Sequence, residues 1–180
     1  MPSSRRQFIA SGIATLTLFA ARRAPAQEID APNVVLIDPR LVTSGQPTAE
    51  ALSALASRGF QAVIYLAPST VSSAVHEEPE LLARQGIEFV QIPIAFGAPN
   101  ESDFLALSAA LNRLRERKVL VHCEINMRAS SMVFLYRVID RHEAPATAYD
   151  AVAQVWSPRG VWRRLIVEQL AKNQISFELY

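Results

Sequence analysis

Residues 62–66 (Ala-Val-Ile-Tyr-Leu) and 119–121 (Val-Leu-Val) are apolar at every position, and a third run, 87–92, is largely so. A strand with one wet face alternates apolar and polar side chains. A run without alternation points instead to a strand buried on both faces, as in a parallel sheet. Segments of helical spacing lie between these runs. Leu52, Leu55 and Ala56 follow Thr48, which can cap a helix that ends before Gly59. Residues 77–84 form a short helix. Phe104, Leu107, Ala110, Leu111 and Leu114 share one face of a helix over 103–116, with Ser102 placed to cap it. Helices over 128–141, 146–155 and 160–172 complete the chain. Two further short strands, 33–36 and 41–44, are set off by Asp38-Pro39 and Gly45-Gln46-Pro47. Strands alternating with helices predict an α/β fold, a mainly parallel central sheet flanked by helices on both faces. Ligands of such sheets sit beyond the carboxyl ends of the strands, which directs attention to the turn after Val121.

The first 26 residues read as an address rather than as part of that fold. Arg5 and Arg6 precede an apolar run over 8–21, followed by Arg22, Arg23 and Ala24-Pro25-Ala26. This is the charged, apolar, small-residue order of an export signal. The run is shorter than the ~20 residues a spanning helix needs, so a permanent membrane anchor is not expected. Ser4-Arg5-Arg6-Gln7-Phe8 resembles the twin-arginine export motif, with Ile9 and Ala10 off its pattern. The expected organisation is a signal over 1–26 and one domain over 27–180, periplasmic or secreted after cleavage. Those 154 residues carry 14 basic and 17 acidic side chains. Such a balance argues against a nucleic-acid partner held by phosphate neutralisation.

Cys123 is the only cysteine, which excludes an intrachain disulfide and a zinc site built on paired cysteines. His76 and His142 have no partner at ligand spacing, and no cofactor is expected. A chain of this length buries about two thirds of its unfolded surface, so packing alone can supply a full core.

The run 119–121 leads into His122-Cys123-Glu124-Ile125-Asn126-Met127-Arg128-Ala129-Ser130 and then directly into a helix. Backbone N–H groups of such a loop converge on one point, and the helix dipole adds positive potential there. Both effects favour a thiolate at Cys123. Arg128 can offer two parallel N–H donors to a phosphate, which a lysine cannot copy. The alternative for Cys123 is a buried apolar thiol at a strand end.

These residues resemble the protein tyrosine phosphatase superfamily, in particular a dual-specificity-like bacterial branch that includes the β-lactamase-hydrolase-like phosphatases. Residues 118–123 look like the strand of dual-specificity phosphatases, and Ser44-Gly45-Gln46-Pro47 with Gly59-Phe60 looks like the start of the bacterial branch. The resemblance spans about residues 34–162. It implies a cysteine-phosphatase-like fold and a metal-free phosphomonoesterase acting on a phosphorylated protein or small molecule through a phosphocysteine. Carried over residue by residue, it makes Cys123 the nucleophile and Arg128 the phosphate clamp. Glu124, Ile125, Asn126 and Met127 become the phosphate-binding loop, His122 the tuner of the thiol, and Ser130 or Ser131 a hydroxyl donor to the leaving thiolate.

Two departures bear on that expectation. Four residues rather than five separate Cys123 from Arg128, with Asn126 and Met127 where a glycine would help, although the bacterial branch shares the shorter spacing. The position expected to hold the general acid is Ala95, in Ile92-Pro93-Ile94-Ala95-Phe96-Gly97. Protonating the leaving oxygen contributes about 10²- to 10⁴-fold, so its loss predicts a weak enzyme. Asp103, Glu101 and Glu124 are the substitute carboxylates within sequence reach, although each reads more readily as a solvated helix-start or surface group. A rhodanese-like sulfurtransferase and a non-catalytic phosphate-binding pseudophosphatase remain alternatives.

Overall fold

In the computed structural model, which describes residues 29–180, five strands form one sheet in the order β1-β2-β5-β3-β4. The strands are β1 (Val35–Asp38), β2 (Leu41–Ser44), β3 (Ala62–Tyr65), β4 (Glu88–Gln91) and β5 (Val119–His122). All neighbouring pairs are parallel except β1 with β2, which form an antiparallel edge. The expected α/β architecture with a mainly parallel sheet is therefore the observed one. Residues 1–26, read as an export signal, lie outside the described residues.

The central strand shows why polar alternation is missing. β5 sits between β2 and β3, with Leu120 opposite Val42 on one side and Val63 on the other. Val119 and Val121 pack in one core with Ala62, Ile64 and the helices α3 (Glu101–Arg113), α4 (Met127–Ile139), α5 (Pro145–Ala153) and α6 (Gly160–Lys172). Leu120, Val42 and Val63 pack in a second core with Leu52 of α1 (Ala49–Ser53), Leu82 of α2 (Glu78–Ala83), Leu55 and Phe60. With helices on both faces, neither side of the strand meets water. α4 is the central helix. Its residues from Arg128 to Val138 are all buried, and it packs on α3, α5 and α6. A helix buried on every side is one enclosed by its neighbours.

Several element ends differ from the sequence reading, each for a local reason. Asn33 has φ 50 and cannot join a strand, so β1 starts at Val35. The helix after Thr48 stops at Ser53, and Leu55 N–H bonds to Leu52 O, the tightening that leads into a 3₁₀ turn at Ala56–Arg58. Gly59, in the left-handed region at φ 81, ends that turn. α3 is capped by Asn100 rather than Ser102, and it ends at Arg113, short of 116, where the chain turns to begin β5. The basic residues at that corner are already partnered. Arg113 and Arg117 pair with Glu88, and Lys118 donates to Arg58 O and lies over the Phe60 ring. Among the described residues no helix is long and apolar enough to cross a membrane.

Candidate active site

Cys123 follows β5 directly, where a parallel sheet places its ligands. Its N–H donates to Ser44 O at 3.2 Å, continuing the pairing of β5 with β2, and its side chain is buried. The segment after β2 then runs along the loop. Gln46 N–H donates to Glu124 O at 3.0 Å, and Gly45 bridges to Ile125. A Cβ on Gly45 would stand 2.7 Å from Glu124 O and 2.8 Å from the Pro32 side chain. Glycine is needed here for close approach of two backbones. Residues 44–47, singled out by resemblance, thus act physically as the cradle of the cysteine loop.

Asn126 makes the turn that a glycine was expected to make. Its φ of 71 and ψ of 0 lie in the left-handed region, which asparagine tolerates better than most residues. Its buried side chain ties the loop down, donating to Asn33 O at 2.6 Å and Thr43 Oγ1 at 3.0 Å. Asn33 in turn donates to Ile125 O at 2.9 Å. Four intervening residues therefore close the loop without glycine.

Arg128 lies in the first turn of α4 and folds back over the loop. Its Nε donates to Ile94 O at 3.0 Å and its Nη1 to Glu124 Oε2 at 2.9 Å. The guanidinium is 5.1 Å from the centre of the Phe96 ring, within cation–π range. Ile94 and Phe96 flank Ala95, and Phe96 O accepts the Trp162 Nε1 hydrogen at 2.8 Å. The segment after β4 is thereby fixed between Arg128 and α6. Ala95 itself is exposed and brings no titratable group.

His122 is fully buried beside Cys123. Its Nε2 lies 2.7 Å from Glu78 Oε1, and the Tyr65 ring stacks on it at 4.7 Å. The other Glu78 oxygen accepts from Gln46 Nε2 at 3.0 Å. Burial, with the nearby charges of Glu78 and Glu124, pushes the Tyr65 hydroxyl up to about 12, the Arg128 charge opposing. Glu78 was not among the residues the sequence nominated.

The other nominated residues have defined places. Ser130 Oγ donates to Met127 O at 3.3 Å, whereas the buried Ser131 Oγ has no hydrogen-bond partner among the described residues. Met127 is half-buried and Ile125 exposed at the loop tip. Asp103 accepts from Asn100 N–H in the capping box of α3, and Glu101 pairs with Lys172. Both carboxylates thus have structural partners. Glu124 is the nominated carboxylate that the structure brings to Arg128. Among the described residues no group of three or more His, Cys, Asp or Glu could hold a metal ion.

Comparison with known proteins agrees with this fold. Residues 26–164 match the family model described as DSP-PTPase phosphatase fused to NAD+ kinase. A β-lactamase hydrolase-like protein of Xylella fastidiosa is 31% identical over 110 residues, 59% of this chain. The chain spans about a quarter of the length of that curated relative, 25%. The crystal structure of a DUF442 protein from Shewanella putrefaciens CN-32 superposes with a TM-score of 0.71 at 28% identity, covering 79% of this chain and 94% of the other. That of Tk-PTP in its active form gives 0.62 at 26% identity, covering 79% and 97%.

Proposed function

The chain belongs to the DSP-PTPase phosphatase family, and from that premise we propose that it hydrolyses phosphomonoesters through Cys123. The observation that carries the reading is the Cys123–Arg128 loop. A strand-end cysteine and a helix-start arginine stand at the two ends of a loop whose backbone Gly45 and Asn126 hold in place. In this reading the Cys123 thiolate attacks phosphorus in line with the leaving oxygen, and the alcohol departs. Water then hydrolyses the phosphocysteine and returns the thiolate. Loop N–H groups and the N-terminus of α4 meet the equatorial oxygens. The Arg128 guanidinium turns from Glu124 to the phosphate, its Nε still held by Ile94 O.

The leaving oxygen is the weak point of this site. Ala95 offers no proton, and Asp103 and Glu101 are occupied in a cap and an ion pair. The proposed enzyme is therefore slow on alkyl phosphates and faster on esters whose alcohol leaves unassisted. The same observation favours a second reading, a phosphate-binding protein with little turnover. The natural substrate is proposed only as a phosphorylated protein or small molecule. The site of action is proposed to be the periplasm or cell exterior, on the strength of residues 1–26.

Phosphate release from a series of aryl phosphates tests the reading, with Cys123→Ser alongside. The expected result is turnover that disappears in the variant and falls steeply as the leaving group worsens. No release above the variant from a folded protein with a free thiol rejects it. Thiocyanate formation from thiosulfate and cyanide would then support sulfur transfer, and retained phosphate binding would support the binding protein.

A further inference from the structure

A wide cleft lies away from Cys123. With a volume of about 680 Å³, it opens at the amino ends of β2 and β5, whereas the cysteine loop leaves the carboxyl end of β5. The four residues of β5, about 13 Å of chain, separate the two places. Its walls come from the β1–β2 turn, the end of α3 with the turn after it, and the end of α4. The floor is apolar. Leu41, Leu111, Leu114 and Val119 meet the cleft from the core beneath it, and the Tyr136 ring stands beside them in α4. The Tyr136 hydroxyl donates to Asn112 Oδ1 at 3.2 Å, which leaves its own oxygen free to accept. Clefts that take small molecules run from about 300 to 1,000 Å³ and share this build, an apolar floor with a few polar groups at its edge.

The charge at the mouth is one-sided. Among the described residues, Arg40, Arg115, Arg117 and Arg141 line the cleft with a single carboxylate, Asp38, which Arg141 holds at 2.7 Å. The carboxylates around the mouth are shared between arginines. Glu116 lies 2.8 Å from Arg40 and 3.6 Å from Arg115, Glu88 serves both Arg113 and Arg117, and Glu143 serves both Arg137 and Arg141. Asp140, behind Asn112, accepts from Ser108 and Asn112. Exposed pairs of this kind hold weakly and give way to a better-placed anion. Helix carboxyl ends favour basic residues without a ligand, which accounts for Arg113 and Arg115 at the end of α3 and for Arg141 beyond α4. The dipole accounts neither for the leucine-floored cleft between them nor for Arg40, which reaches the same mouth from the β1–β2 turn.

We propose that this cleft binds a small aromatic anion, a carboxylate, sulfonate or phosphate carried on a flat apolar ring. The ring lies on the leucine floor against Tyr136, and the acid group takes Arg40 and Arg115, the two arginines that share Glu116. A guanidinium offers paired donors to such an acid, and its flat face stacks on an aromatic ring. The inference does not depend on the chemistry of Cys123.

Naphthalene sulfonate is the probe, titrated into the full chain while the backbone amide resonances are followed. An aromatic sulfonate also resembles the ester proposed for the cysteine loop, so the map of shifts decides where it binds. The expected result is saturable shifts at Arg40, Val119 and Tyr136, undiminished in Cys123→Ser. Arg40→Gln combined with Arg115→Gln, both side chains facing water, is expected to weaken that binding about tenfold. Uncharged naphthol and inorganic sulfate are each expected to bind there at least about tenfold more weakly than the probe. Shifts confined to residues 123–128 overturn the proposal, as does full affinity in the double variant or equal binding of naphthol. Should the double variant fail to fold, unchanged affinity in Arg115→Gln alone overturns it.

Discussion

Asn126 concentrates two functions in one side chain. Its backbone occupies a left-handed conformation that costs an ordinary L-residue about 1–2 kcal/mol, and its amide holds two acceptors on other segments. Asn126→Ala should lose both, destabilising the fold by about 2–4 kcal/mol and loosening phosphate binding. Asn126→Gly should keep the turn and lose only the ties, for about half that cost; thermal melting of the pair separates the contributions. Glu124 invites a different prediction. It is partly exposed and holds the arginine that the proposed mechanism turns to the phosphate, so in that mechanism substrate displaces it. Glu124→Gln should tighten inhibition by inorganic phosphate about twofold to fivefold, the range of a partly screened ion pair. Weaker inhibition would mean that Glu124 helps to hold the anion rather than competing with it. The placing of Cys123 and Arg128 at the two ends of one loop was legible in the sequence because strand, loop and helix are contiguous. Glu78 was not, because its acidic neighbourhood reads as a solvated helix start and its partner lies 44 positions away.

At the level of elements, the apolar runs at 62–66 and 119–121 were readable because a strand enclosed on both faces leaves its mark residue by residue. Helix ends were less readable because tertiary partners set them. Asn100 outcompetes Ser102 as a cap because it completes a reciprocal box with Asp103, and that same box engages one of the carboxylates nominated as an acid. The segment after β4 depends on α6 in a way that spacing does not reveal, through the Trp162 hydrogen bond to Phe96 O. Trp162→Phe keeps most of the buried ring and removes that donor. The expected outcome is a fall in turnover through a less fixed Arg128, with a stability loss of about 1–2 kcal/mol. Equal turnover in the variant would show that α6 does not set the clamp.

Across the whole molecule, two cores on opposite faces of one sheet enclose a site whose polar groups are almost all internal. That enclosure has a consequence in alkali. Tyr65 is raised from 10.0 to about 12, burial being the main cause, and Tyr136 and Tyr149 move in the same direction. A group raised on folding stabilises fully below its unfolded value, and that contribution is lost as pH climbs through the folded one. Stability should therefore fall between pH 10 and about 12, and Tyr65→Phe should flatten part of that fall in a denaturation series. The fold class could be read from alternating strands and helices, whereas the partners that orient His122 and Arg128 come together only when distant segments pack.

The phosphocysteine itself tests the central claim most directly. The chain is mixed with an activated aryl phosphate, quenched in acid within the first turnover, digested and mapped by mass spectrometry. The account predicts phosphate on the peptide that contains Cys123, and none after prior alkylation of the thiol. Phosphate release with an unmodified Cys123 peptide, or phosphate on another residue, would contradict it.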